Sequence, residues 1–292
     1  MTKDRVLEES YRYCAAVARR EARNFYAAFR LLPASRRRSM CALYAFLRHS
    51  DDLADEPGSA PVKARALDDW RQALDAALAG DGGAWPGFPA LADTVERFAI
   101  PAHLLHAVIE GVSMDIQPRG FATFAELAVY CYHVASVVGL SCLHIWGYRS
   151  EGGQAERLAE RCGIALQLTN ILRDIRDDAE HGRIYLPRDD LLRFGVEPRE
   201  LAAAGPPSDR VRSLLAFEGQ RAYEYYEAAR PLATLVDPVG RPVLRTIVGI
   251  YRALLDEIAR RDYHVLDGRI SLPAWRKIAI ALRALAGRMD GR

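Results

Sequence analysis

The sequence predicts an all-α protein, and three observations support this fold class. Apolar residues recur at i, i+3 and i+4 along almost the whole chain, which is the spacing of one helix face. Alternating apolar and polar runs of the kind that form strands are hard to find. Proline and glycine interrupt the helical pattern at several points, as they do between helices.

These interruptions divide the chain into about ten predicted helices with ends accurate to ~2 to 4 residues. The predicted helices lie near residues 5–31, 34–54, 61–79, 90–115 with a break at Pro101, 122–149, 154–180, 188–203, 208–233, 237–263 and 272–288. The connections are short and contain no linker rich in serine or glycine. We therefore expect one domain over residues 1–292.

Composition bounds the class of protein. Half of the 292 residues are hydrophobic (50%) and 27% are charged, which suits a well-filled core. The net charge of +2 gives no bulk electrostatic reason to expect nucleic acid as a partner. The five cysteines show no metal-binding spacing and the N-terminus resembles no secretory signal, so reduced thiols in a cytoplasmic enzyme are expected. The apolar stretch 134–148 is too short to span a bilayer and predicts a buried helix.

The first segment with candidate catalytic residues lies at the end of the predicted helix 34–54. Asp51 and Asp55 stand four residues apart, so their carboxylates share one helix face, with Asp52 beside them and Arg48 one turn earlier. Negative charge at a helix C-terminus opposes the helix dipole. A functional reason for that repulsion is plausible, although a solvated acidic helix end would give the same pattern.

The second segment lies in the predicted helix 154–180. Gln167, Asn170, Asp174 and Asp178 form one stripe of oxygen-bearing side chains over several turns. Leucine and isoleucine occupy the flanking faces, which indicates a largely buried helix. Buried carboxylates on an apolar helix need a cation.

The donor types favour magnesium over zinc. Mg²⁺ prefers oxygen ligands and is usually held by one or two carboxylates together with substrate phosphates. No histidine or cysteine pair with zinc-ligand spacing accompanies the acids. The pattern therefore predicts a magnesium site, with Mn²⁺ as the alternative ion, that binds a diphosphate.

Together these segments resemble the squalene and phytoene synthase family. The resemblance rests on four segments in order: Phe25-x-x-x-Phe29-x-Leu-Leu-Pro33, Tyr44-x-x-x-Arg48-x-x-Asp51-Asp52-x-x-Asp55, Tyr130-Cys-Tyr-x-Val-Ala-x-x-Val-Gly139 and Gln167-x-x-Asn170-x-x-Arg173-Asp174-x-x-x-Asp178 followed by Gly182-Arg183-Ile-Tyr185-Leu-Pro187. It extends over about residues 10 to 290, and the agreement of separated segments is more specific than either acidic motif alone.

The resemblance implies an isoprenoid synthase fold in which the two acidic helices face each other across a hydrophobic cavity. It implies magnesium binding by Asp51, Asp55, Asn170, Asp174 and Asp178, with Asp52 and Arg48 also in the catalytic set. The implied substrate-binding residues are Phe25, Phe29, Tyr44, Tyr130, Gln167, Arg173, Arg183 and Tyr185. Each of the aromatic residues has ordinary core packing as a competing role.

The reaction implied by the resemblance joins two allylic prenyl diphosphates head to head. One diphosphate ionises, the double bond of the second attacks the resulting carbon, and proton loss closes a cyclopropane. The favoured substrate is farnesyl diphosphate, giving presqualene diphosphate toward squalene and hopanoids, and the alternative is geranylgeranyl diphosphate, giving phytoene. NADPH is not favoured, because no dinucleotide-binding motif follows a predicted strand and the chain ends without an apolar tail.

Other classes of protein remain as alternatives. A terpene cyclase or a head-to-tail synthase also uses metal-binding aspartates on helices, and a non-catalytic helical binding protein would explain the fold alone. The expected partner is a prenyl diphosphate, and such an apolar substrate leaves peripheral contact with a membrane open. The proton acceptor and the oligomeric state are not predicted.

Overall fold

The computed structural model describes residues 3–116 and 120–287. Within them the regular secondary structure is helical, apart from one isolated bridge between Tyr148 and Val236. The elements are α1 (Lys3–Glu21), α2 (Arg23–Phe29), α3 (Ala34–Asp55), α4 (Ala60–Leu78), α5 (Phe88–Phe98), α6 (Ala102–Met114), α7 (Phe124–Cys131), a π-helical segment (Tyr132–Ser136), α8 (Val137–Trp146), α9 (Gln154–Glu180), α10 (Arg188–Phe194), α11 (Pro198–Leu201), α12 (Asp209–Ala229), α13 (Leu232–Leu235), α14 (Arg241–Arg260) and α15 (Ala274–Leu285).

The all-α prediction is confirmed, and the helices carrying the two acidic motifs lie within two residues of their predicted bounds. Other predicted helices are divided. Gly195 adopts a left-handed conformation (φ 64°) that ends α10, and Pro198 begins α11, so the predicted helix 188–203 is two helices. The predicted helix 5–31 is interrupted at Ala22, between α1 and α2.

The π-helical segment interrupts the predicted helix 122–149. It passes so close to α9 that a Cβ atom added to Gly163 would lie 2.4 Å from the Cα atom of Ser136. The Ser136 hydroxyl donates a hydrogen bond of 2.8 Å to the carbonyl of Glu160. Glycine therefore permits this close approach, and the widened turn brings Ser136 against α9.

The described residues group into two compact units. Unit 1 contains residues 3–116, Leu140–Arg149 and Leu235–Val243, and unit 2 contains residues 120–139, Ser150–Thr234 and 244–287. A single domain stays a prediction. The five cysteines are all unpaired and buried, in accord with the expectation of reduced thiols.

Unit 1 holds the C-terminal end of α3 with an aromatic cluster. The ring of Trp70 stacks on Phe46 and Phe88 at centroid distances of 5.7 and 4.7 Å. Its indole nitrogen donates a 2.9 Å hydrogen bond to the hydroxyl of Ser50, which itself donates to the carbonyl of Phe46. This packing fixes the helix turn immediately before the first acidic motif.

Unit 2 is built around α9 and α12. Leu168, Ile171 and Leu172 of α9 are buried in a continuous apolar core. The hydroxyls of Thr169 on α9 and Tyr226 on α12 lie 2.9 Å apart and share a hydrogen bond inside that core. The apolar faces that the sequence predicted for α9 are thus its packing surface.

One stretch, Phe124–Trp146, has the length and mean hydropathy (1.5) of a membrane span. Half of its most apolar window is buried inside the protein, as in the core helix of a soluble protein. The sequence prediction of a buried helix in this region is in accord with that burial.

Candidate active site

The first acidic motif occupies the last two turns of α3, in unit 1. Arg48 forms an ion pair of 2.5 Å with Asp52 across one helical turn, and both side chains are partly exposed. Asp51 and Asp55 are solvent-accessible. Arg48, which the resemblance places in the catalytic set, is therefore paired with the neighbouring carboxylate.

Asp51 has an unusual environment for a carboxylate. Water reaches it, yet the surrounding protein raises its pKa to about 7 by desolvation, with further contributions from the negative charges of Asp55, Asp52 and Asp115. Arg48 opposes this shift only in part. A cation bound beside Asp51 would remove the cost of its charge.

Three aromatic residues that the resemblance assigns to substrate binding, Phe25, Phe29 and Tyr44, lie on α2 and α3 in unit 1. Phe29 is buried, and its ring meets the ring of Tyr44 edge to face at 6.4 Å. Burial raises the pKa of the Tyr44 hydroxyl, although Arg48 lowers it. Phe25 on α2 is half-buried. Substrate contact by these rings stays a prediction.

The second acidic motif forms a polar stripe on α9, in unit 2. The side-chain amide of Asn170 donates a 3.3 Å hydrogen bond to the side-chain oxygen of Gln167. The amide oxygen of Asn170 is buried without a hydrogen-bond partner. A buried acceptor without a donor is costly, so this oxygen is a candidate metal ligand.

Asp174 lies between two arginines. The Nε atoms of Arg173 and Arg269 both lie 2.8 Å from its Oδ1 atom, and both guanidinium groups also approach Oδ2. Tyr251 on α14 forms hydrogen bonds with the side chains of Arg173 and Asn170, and burial raises its pKa. Two guanidinium groups on one carboxylate leave a local excess of positive charge, which suits an anionic ligand.

Two further residues that the resemblance assigns to substrate binding, Arg183 and Tyr185, follow the C-terminal end of α9. Gly182 takes a left-handed conformation (φ 74°), and the amide of Arg183 donates a 2.8 Å hydrogen bond to the carbonyl of Asp178. Tyr185 then stacks on the buried ring of Tyr130 at 5.2 Å, and Phe121 packs against Tyr130 at 5.3 Å. These three rings form an aromatic wall in unit 2.

The residues of the α9 stripe fit a magnesium site of the kind that phosphate oxygens complete. Within residues 3–116 and 120–287, no group of three or more Asp, Glu, His or Cys side chains is close enough together to hold a metal ion by itself. Magnesium is usually held by one or two carboxylates plus phosphate oxygens, and the unpartnered Asn170 oxygen beside Asp174 supplies donors of that kind.

The predicted site residues thus fall into two sets. Unit 1 carries Phe25, Phe29, Tyr44, Arg48, Asp51, Asp52 and Asp55, and unit 2 carries Tyr130, Gln167, Asn170, Arg173, Asp174, Asp178, Arg183 and Tyr185. The facing arrangement of α3 and α9 stays a prediction. Sequence reasoning missed Arg269 and Tyr251, which contact the α9 stripe from distant parts of the chain.

Comparison with known proteins gives consistent results. The squalene/phytoene synthase family pattern matches residues 18–276. A phytoene synthase of Mycobacterium tuberculosis is 40% identical over 282 residues, covering 96% of this chain and 92% of that protein. A phytoene synthase of Arthrospira platensis is 35% identical, with 92% and 90% covered.

Solved structures of squalene and dehydrosqualene synthases are also similar to this chain. A dehydrosqualene synthase crystallised with a ligand superposes with a TM-score of 0.88 at 26% identity, over 98% of this chain and 99% of that one. The squalene synthase HpnC of Alicyclobacillus acidocaldarius gives a TM-score of 0.80 at 32% identity, over 88% and 95%.

Proposed function

Because the chain belongs to the squalene and phytoene synthase family, we propose that it joins two identical allylic prenyl diphosphates head to head. The proposal rests on one observation above all: the two acidic motifs of the chain lie on helices within the region that matches the family. The proposed product of the first reaction is a cyclopropylcarbinyl diphosphate, presqualene diphosphate in the C15 case.

The proposed reaction releases one diphosphate and one proton. The C1–O bond of one substrate breaks, and its diphosphate leaves with the bonding electrons. The double bond of the second substrate forms a bond to that C1 carbon, and loss of one proton closes the cyclopropane ring. The second diphosphate is retained, and the released diphosphate is a candidate proton acceptor.

Positive charge beside the α9 stripe supports binding of the leaving group. Arg173 and Arg269 already hold the carboxylate of Asp174, and their remaining N–H groups can donate to phosphate oxygens. Arg48 would exchange its ion pair with Asp52 for a phosphate contact, and Arg183 would add a further cation. Donors placed where negative charge grows lower the barrier to ionisation.

Magnesium is the proposed cofactor, and when bound it would neutralise charge on the departing diphosphate. Asn170, Asp174 and Asp178 are its proposed ligands on α9, and Asp51 and Asp55 are its proposed ligands on α3. The raised pKa of Asp51 supports this role, because a cation there would let the carboxylate ionise at neutral pH.

The carbocation needs walls that neither hydrate it nor react with it. The rings of Phe121, Tyr130 and Tyr185 form an apolar surface in unit 2, and their faces attract positive charge through the ring quadrupole. Tyr130 is buried and packs against both other rings, which contact each other at 6.3 Å, so this cluster would also exclude water from the reacting carbon.

The chain length of the substrate is the finer part of the proposal. Farnesyl diphosphate is the first candidate, since the similar solved structures are named squalene and dehydrosqualene synthases. Geranylgeranyl diphosphate is the second, since the curated relatives at 35–40% identity are named phytoene synthases. Reduction by NADPH to squalene would require a further step, which the same assay detects.

Incubation with either diphosphate, with and without Mg²⁺ and NADPH, tests the proposal when the lipid product is identified. We expect magnesium-dependent diphosphate release and a head-to-head product. A cyclic terpene, or the absence of release with both substrates, would contradict the proposal in favour of a cyclase or a binding protein.

Substitution separates chemistry from folding. Asp51→Ala and Asp174→Ala are expected to lower turnover by about a thousandfold or more, because each removes a proposed metal ligand. Asp81→Ala and Asp189→Ala are matched controls at exposed positions and should retain activity. Circular dichroism checks that helix content is preserved, and full activity of both site variants would refute the metal assignment.

A further inference from the structure

Helix α15 exposes an unusual amount of apolar surface. Trp275, Ile278, Leu282 and Leu285 are 70, 60, 61 and 52% exposed. Their spacing places them on one face, and they follow the helix for about 15 Å. We call these four residues the α15 stripe. The other exposed large apolar side chains of the described residues are scattered singly: Tyr13, Val62, Met114, Val129 and Leu192.

The opposite face of α15 packs into unit 2. Ile280 and Ala284 are buried there, on the side of the helix away from the stripe. The helix is therefore fixed by one apolar face while it presents a second one outward. A contiguous exposed apolar patch marks a binding surface more often than an isolated exposed residue does.

Charge borders the α15 stripe on both sides. Helix α15 has no acidic residue, and Arg276 and Arg283 flank the stripe on one side and Lys277 on the other. Arg276 and Arg283 also line a cavity of about 730 Å³, whose wall carries five arginines against two carboxylates. Glu257 pairs with Arg276 at 3.4 Å, but the five arginines and Lys277 still outnumber the carboxylates, so the surface next to the stripe has a net positive charge.

We propose that the α15 stripe docks the protein on an anionic lipid bilayer. An amphipathic helix with an apolar face, a tryptophan and bordering cations has the composition of helices that lie in the membrane interface. Trp275 at the start of the stripe suits the headgroup level, and the cations suit negatively charged headgroups. The proposal is independent of the reaction, because binding is measured without turnover.

A second copy of this chain is a poorer occupant of the stripe. A symmetric dimer through α15 would bring the same arginines of both copies together at one interface. Helix α15 carries three cations and no carboxylate, and although Glu257 of α14 lies 3.4 Å from Arg276, the cations outnumber the carboxylates at this face. An anionic bilayer instead supplies the opposite charge.

Native fluorescence gives a direct test. Trp70, Trp85 and Trp146 are buried, so Trp275 is the exposed one of the four tryptophans. Vesicles of phosphatidylcholine with phosphatidylglycerol should shift the emission to shorter wavelength, and phosphatidylcholine alone should have much less effect. Trp275→Phe should abolish the shift. An unchanged emission of the natural protein on anionic vesicles would overturn the proposal.

Vesicle flotation with matched variants tests the stripe itself. Ile278→Ser combined with Leu282→Ser should lower partitioning about tenfold or more, since each apolar side chain contributes to insertion. Leu192→Ser, at a residue 69% exposed on α10, is the matched control and should bind as the natural protein does. Equal binding by the double variant and the control would overturn the proposal.

Charge-reversal variants and a measurement of the oligomeric state test the remaining parts of the proposal. Lys277→Glu combined with Arg283→Glu should reduce binding to anionic vesicles about tenfold, and Arg199→Glu, an exposed arginine on α11, should not. Melting curves should confirm that the variants remain folded. Light scattering that shows a dimer converted to monomer by the stripe variant would overturn the proposal, because a second copy would then cover α15.

Discussion

The two acidic motifs differ in how the protein treats their carboxylates. At the end of α3, desolvation and, to a smaller extent, neighbouring carboxylates raise the pKa of Asp51, so its charge is disfavoured. On α9, Asp174 is neutralised by the guanidinium groups of Arg173 and Arg269. The first motif thus has one cation, Arg48, which pairs with Asp52 and only partly offsets the cost of the Asp51 charge, whereas Asp174 alone is paired with two arginines. Two motifs with the same aspartate spacing can therefore differ in whether the protein disfavours or neutralises the carboxylate charge.

The largest effect on stability is expected at Asp174. Replacing it by Asn should destabilise the ligand-free protein by about 1 to 3 kcal/mol, because two arginines would lose their shared carboxylate in a partly buried setting. Chemical denaturation measures this change, and Asp189→Asn is the control. A variant as stable as the natural protein would show that the arginines find water or other partners at no cost.

The opposite sign is expected at Asp51. Asp51→Asn should stabilise the ligand-free protein by about 1 kcal/mol at pH 8, a value reduced because water reaches the side chain. The ordinary pKa of this carboxyl group is 3.8, and the folded protein raises it to about 7. This carboxyl group therefore lowers stability progressively as the pH rises from about 4 to about 7, the loss is complete above about pH 7, and below about pH 4 it has no effect.

Melting curves of the natural protein and Asp51→Asn between about pH 5 and pH 8 check this prediction. The difference in stability between the two should grow with pH and should shrink when magnesium and diphosphate are added. A constant difference across this range would show that the Asp51 charge is not disfavoured in the folded state.

A smaller effect is expected at Tyr251. Tyr251→Phe removes the hydroxyl that bonds the side chains of Arg173 and Asn170, and should cost about 0.5 to 1.5 kcal/mol. If Tyr251 only supports the fold, KM for the prenyl diphosphate should not change. If it positions Arg173 against the diphosphate, KM should rise in addition to that loss of stability. Tyr13→Phe, an exposed tyrosine of α1, is the control.

Local features of the site were predictable from the sequence. The i, i+4 spacing of Asp51 and Asp55, and the stripe from Gln167 to Asp178, depend only on helix geometry, and both helices are present as expected. The burial of α9 followed from its leucines and isoleucines. Local periodicity carries this information within one element.

Contacts between distant segments were not predictable in the same way. Arg269 lies 95 residues from Asp174 in a connection without periodic pattern, and Tyr251 is one aromatic residue among several in the C-terminal half of the chain. The break at Ala22 and the π-helical segment also escaped prediction. The latter depends on how closely Gly163 approaches Ser136, which is a property of packing between elements.

That close approach also constrains how the chain can change over generations. A π-helical turn is equivalent to one extra residue inserted into an α-helix. A methyl group at position 163 would collide with main-chain atoms, which cannot rotate away. Alanine at position 163 is therefore expected to be tolerated only together with a change in the π-helical segment that moves Ser136 away.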